Sequence, residues 1–173
     1  MTTPATPCPP CHPKRKPPPS KCWPGDDLDG YTEVYPDNPL LHLYWDAEIL
    51  DLSGVPSRRI IRVEDPFAVR FRIEFTGPAW QCMAGDWVFD VRFDEQGGPA
   101  DFKLSSLLPA GALTQKDWKG CDKPPCVQLA YTVPANTIQD SVYQLTSTFR
   151  LYCCGKPGPI VGFEPEKEFQ WYA

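Results

Sequence analysis

Five separate stretches of this chain alternate apolar and polar residues with the period of a half-buried strand, and that alternation restricts the fold more than any other property of the sequence. Leu41, Leu43, Trp45, Ala47 and Ile49 interleave with His42, Asp46 and Glu48. Phe67, Val69, Phe71, Ile73 and Phe75 interleave with Arg70, Arg72 and Glu74. Trp87, Phe89, Val91 and Phe93 interleave with Asp90 and Arg92. Val127, Leu129, Tyr131 and Val133 alternate with Gln128, Ala130 and Thr132, and Tyr143, Leu145, Phe149 and Leu151 with Gln144, Thr146, Thr148 and Arg150. Weaker candidates lie at 59–63 and 101–107, and Phe163, Phe169 and Trp171 point to a last strand interrupted at Pro165. No segment has a convincing helical period, although 105–119 has room for one short helical turn. About seven antiparallel strands joined by turn formers predict a two-sheet sandwich or small barrel over residues 41–173.

The first 40 residues read differently. Nine of the 22 prolines precede Gly25, a density that excludes a long helix there, and Pro17, Pro18 and Pro19 predict an extended polyproline segment. Gly25, Asp26, Asp27, Asp29, Gly30, Pro36, Asp37, Asn38 and Pro39 make 25–40 a connector rich in turn formers. Charge divides along the same line. Lys14, Arg15, Lys16 and Lys21 make the arm basic, and the remaining 13 basic residues share the chain with all 22 acidic ones, a balance of −9. A basic arm on an acidic body is expected to lie on that body or on a neighbouring copy. Four charges with one stacking residue, Trp23, do not make a nucleic-acid footprint. No apolar run approaches the roughly 18 residues of a membrane span, and the N-terminus shows no hydrophobic signal region. Eight cysteines are nevertheless many for a reducing compartment, so the final location is expected to be extracellular or within a particle.

A resemblance emerges at Asp140, Ser141, Val142 and Tyr143. This run looks like the tyrosine corner of immunoglobulin-like domains, and Trp87 stands near where many such domains carry a core tryptophan. The resemblance implies a seven-stranded immunoglobulin-like sandwich with strands at 41–50, 67–75, 87–93, 101–107, 127–133, 143–152 and 160–171. The disulfide that joins the second and sixth strands of antibody domains has no counterpart. In the implied topology three loops share one end. Cys82 lies in the first, Cys121 and Cys126 in the second, and Cys153 and Cys154 in the third, together with Trp80, Trp118 and Tyr152.

These residues carry the candidate chemistry. The five loop cysteines can form disulfides that staple the loops, or a tetrahedral zinc site of thiolates. In the arm, Cys8, Cys11, His12 and Cys22 have the spacing of a c-type haem attachment or a zinc set, but cross-linking of the arm to itself, the body or another subunit is the simpler expectation. Asp26, Asp27, Asp29, Gly30 and Glu33 weakly resemble a calcium loop, and a solvated turn explains them as well. Trp80, Trp118 and Tyr152 offer an aromatic platform for a sugar or a protein, unless they pack beneath their own loops. Only two histidines are present, and no nucleophile–base set or phosphate-binding glycine loop is evident. The expectation is a non-enzymatic structural subunit of a homo-oligomer or a larger fibre, shell or particle. Glycan or protein-surface binding, and zinc or redox control, are the alternatives.

Overall fold

The computed structural model describes residues 20–24, 28, 31–34, 41–57, 59–99, 101–120, 125–164 and 167–173. Among the described residues eleven strands form: β1 (Tyr31–Val34), β2 (His42–Leu50), β3 (Ile60–Arg62), β4 (Phe67–Thr76), β5 (Ala84–Glu95), β6 (Asp101–Lys103), β7 (Thr114–Lys119), β8 (Cys126–Val133), β9 (Ser141–Cys153), β10 (Lys156–Phe163) and β11 (Lys167–Tyr172). One short helix, α1 (Leu104–Leu107), and a 3-10 turn at Pro78–Cys82 complete the elements. One sheet runs β2-β4-β8. The other is built on the long antiparallel pair β5–β9. Beyond β9, β11 pairs with its first half and β10 with its second. Beyond β5, β7 pairs near its start and β6 near its end. β1 extends the sheet beside β10, and β3 lies parallel to β11 at the margin.

The two sheets pack as a sandwich. The apolar rows of β2, β4, β5 and β9 all turn inward and form one continuous core. Rings from opposite sheets interdigitate: Trp45 meets Phe149 edge-on at 4.8 Å, and Phe71 lies 5.2 Å from Phe89. Each buried large apolar side chain contributes roughly 1.5–3 kcal/mol. That row of aromatic rings ties the four long strands of the two sheets together.

The five strongly alternating segments become β2, β4, β5, β8 and β9. The expected strand at 101–107 is instead a three-residue strand followed by α1, and the expected 160–171 strand divides into β10 and β11. The 105–119 region corrects the sequence reading most. Its helical turn is over by Leu107, and Thr114–Lys119 forms β7, in which only Trp118 faces the core. Five polar or charged neighbours hid that strand's period. Tyr31–Val34, read as part of the connector, pairs with β10 and so joins the body. Tyr143 is fully buried, but its hydroxyl only faces the Gln139 backbone, short of a full hydrogen bond.

Candidate functional site

Strand register decides where the loop cysteines go. The 3-10 turn carrying Cys82 joins the end of β4 to the start of β5. Asp86 pairs with Tyr152, which places the β9–β10 turn at the start of β5, and the Cys153 thiol lies 3.7 Å from the Ala84 carbonyl oxygen. Ala84 also pairs with Lys119, and the Gly120 N–H donates to the Met83 carbonyl at 2.8 Å. A Cβ at Gly120 would collide with the Trp80 carbonyl oxygen, so only glycine lets the chain pass here. Cys126 pairs with Glu74 at the end of β4. One end of the sandwich therefore holds Cys82, Cys126, Cys153 and Cys154. Cys121 lies outside the described residues.

The chemistry of these sulfurs differs. Cys126 forms a disulfide with Cys22 of the arm, across 104 residues of sequence. Cys82, Cys153 and Cys154 are exposed free thiols. Cys154 and Gly155 both have positive φ, 54° and 75°, the backbone of a tight two-residue hairpin turn between Cys153 and Lys156. In the disulfide with Cys22 the Cys126 sulfur is not available as a thiolate ligand. Among the described residues no three His, Cys, Asp or Glu side chains group to hold a metal ion. Cys8, Cys11, His12, Asp26, Asp27, Asp29 and Gly30 lie outside the described residues, so the haem, zinc and calcium expectations for them stand without a geometric counterpart.

The aromatic platform does not form at Trp118. That ring is buried against Phe75 at 5.2 Å and Trp87 at 5.7 Å, and Trp80 stacks on Phe75 at 6.0 Å. The rings pack under the cysteine-bearing end because burying an indole outweighs displaying it. Tyr152 is half-buried and borders a polar groove of about 480 Å3 with Arg150, Thr146, Thr148, Asp90 and Arg92 on the outer face of β5 and β9. His42 is exposed at the start of β2.

Sequence reasoning missed the most organised polar cluster, on the outer face of β2 and β4. The Arg72 guanidinium donates to both Asp46 oxygens, at 3.0 and 2.6 Å, and to Glu48 at 3.0 Å. Arg70 pairs with the other Glu48 oxygen. Arg72, Asp46 and Glu74 are each only 3% exposed, although period-two alternation places them on the solvent side of the sheet. The arm supplies their cover. Ser20 Oγ donates to Glu74 at 2.6 Å, and the Lys21 and Cys22 backbone N–H groups reach the same carboxylate at 3.1 and 3.4 Å. The Trp23 ring lies 5.5 Å from the Arg72 guanidinium carbon, a cation–π contact. Residues 20–24 thus form a strap across the sheet, held by Cys22–Cys126. Burial pushes the Asp46 carboxyl up, and Arg72 only partly offsets that.

A third buried acid sits at the other margin of the same sheet. Glu164, between β10 and β11, accepts from the Ala47 N–H at 2.8 Å and pairs with Lys167, whose ammonium donates to the Ala47 carbonyl at 3.1 Å. Burial raises the Glu164 pKa to about 6, against the lowering pull of Lys167.

No protein-family model matches the chain, nor does any curated protein at a significant level of similarity. Fold and site together define a strapped all-β sandwich with three free thiols at one end among the described residues. Among the described residues no helix is long and apolar enough to cross a membrane.

Proposed function

We propose that the chain is a non-catalytic structural module, a sandwich subunit whose N-terminal arm contacts neighbouring subunits of a fibre, shell or other particle. The carrying observation is the strap. Cys22–Cys126 and the three bonds onto Glu74 fasten Ser20–Cys22, where the arm meets the body, to the outer face of a sheet. A proline-rich segment loses little chain entropy on docking, because it is already extended. Its three basic residues, Lys14, Arg15 and Lys16, complement an acidic body.

We also read the sandwich as immunoglobulin-like. The orders β2-β4-β8 and β5-β9-β10 follow the two-sheet pairing of that architecture, with β6 departing from it by pairing to β5. Architecture alone assigns no activity. A second reading, redox control, draws on the exposed thiols of Cys82, Cys153 and Cys154 beside a disulfide-held strap.

Removal of residues 1–19, which keeps Cys22, tests the arm. Light scattering should show the full chain as an assembly and the truncated chain as a smaller species. Equal mass for the two would reject the arm's role.

A further inference from the structure

Sheet edges are templates for pairing, and most edges in this molecule are defended. The outer edge of β2 is blocked at its centre, where Glu164 and Lys167 occupy the Ala47 N–H and carbonyl. β3 and β6 are three residues long. β7 carries Lys116, Asp117 and Lys119, and is irregular, with Asp117 at φ 51° and a register shift against β5.

β8 has none of these defences. It pairs with β4 in unbroken register over eight residues, from Glu74–Cys126 to Phe67–Val133. Its sequence, Cys-Val-Gln-Leu-Ala-Tyr-Thr-Val, contains no proline and no charge, and every other strand contains at least one charged residue. No backbone hydrogen bond joins its outer edge to any described residue. The sandwich is also open beside it. Val127, Leu129 and Tyr131 are only half-buried, whereas Phe71 and Val69 opposite them on β4 are fully buried. A cleft of about 280 Å3, lined by Phe75, Trp87, Phe89 and Trp118, lies between β8 and β7.

We propose that β8 is a self-pairing edge, which joins antiparallel to β8 of a second copy of this chain and merges two three-stranded sheets into one of six. The proposal rests on the assembly reading and names its contact. A second copy is the occupant that the charge pattern favours. In an antiparallel pair across a two-fold axis, residues near the axis lie beside their own duplicates, so a charge in the middle of the strand would meet a like charge, and like charges across strands destabilise. An uncharged strand avoids that penalty, and on a body of balance −9 it is where two copies can approach. The copy's Val127, Leu129 and Tyr131 row would then extend over the open side of the core.

Sedimentation of the full chain over a range of concentrations tests this, beside Ala130→Glu and Gln128→Glu. Ala130 and Gln128 are exposed and flank Leu129 near the middle of β8, so in a pair centred there a carboxylate at either position lies diagonally within reach of its duplicate. The expected result is a dimer whose dissociation constant rises tenfold or more in both variants, with unchanged circular dichroism. Gln128→Glu is nearly isosteric and gives the answer if Ala130→Glu fails to fold. Association of the full chain that neither variant weakens would overturn the β8 contact, and leaves arm-mediated assembly standing if removal of residues 1–19 abolishes it. A monomer at every concentration would overturn both.

Discussion

Replacing Cys22 and Cys126 together by serine removes the one covalent link between arm and body among the described residues. The bond closes 104 residues of chain, and loops of about 100 residues correspond to about 4.7 kcal/mol in the chain-entropy description, with about 2–5 kcal/mol found when native disulfides are removed. The strap also contributes the Glu74 bonds and the Trp23–Arg72 contact, each about 1 kcal/mol. These survive where the strap stays docked without its staple. The double variant should therefore lose about 3–5 kcal/mol in urea unfolding followed by tryptophan fluorescence. Its denaturant slope should steepen, because the unfolded chain is no longer held compact. Wild-type protein treated with a thiol reductant should reproduce the variant. A loss under about 1 kcal/mol, or reduced wild type that unfolds like the oxidised form, would refute the claim that this bond holds the strap.

Other perturbations probe separate parts of the account. Glu164 binds its proton more tightly folded than unfolded, since folding raises its pKa from 4.5 to about 6. Its stabilising contribution is therefore full below pH 4.5 and is lost as pH rises through 6, a change of about 2 kcal/mol at 1.36 kcal/mol per unit. Glu164→Gln should abolish that part of the pH dependence, and a wild-type-minus-variant difference that stays constant from pH 4 to 7 would contradict it. Arg72→Met strands the buried Asp46 carboxylate and should cost about 3–5 kcal/mol, while Asp46→Leu combined with Arg72→Met should recover much of the loss in urea titration. Failure of the second change to rescue the first would show that the two groups do not act as a pair. Trp118→Ala opens the core under the cysteine-bearing end and should cost about 3–5 kcal/mol. A fully stable variant that loses only glycan binding would restore the platform reading.

How far the sequence could be read follows from which physical signals are local. Period-two alternation lies within each strand, so β2, β4, β5, β8 and β9 were legible to within a few residues, and so was the gathering of cysteine-bearing loops once their order was assumed. β7 was not, because Thr114, Gln115, Lys116, Asp117 and Lys119 leave Trp118 as its sole inward anchor. The alternation also placed Arg72, Asp46 and Glu74 correctly on the outer face, but gave no sign that they are buried. The burial of Arg72 and Glu74 depends on Ser20, Cys22 and Trp23, some 50 residues away along the chain, and the only hint was a serine, a cysteine and a tryptophan ending a basic arm. Glu164 was hidden for a similar reason. Its partner is the backbone of Ala47, and a backbone partner leaves no mark in composition.

Peptide mapping of the unreduced protein by mass spectrometry tests the strap most directly. The prediction is a linked pair of peptides containing Cys22 and Cys126 from one chain, with Cys82, Cys153 and Cys154 open to alkylation before reduction. Cys126 joined instead to Cys121 or to any of those three, or Cys22 joined to a different molecule, would contradict an arm fastened to its own body.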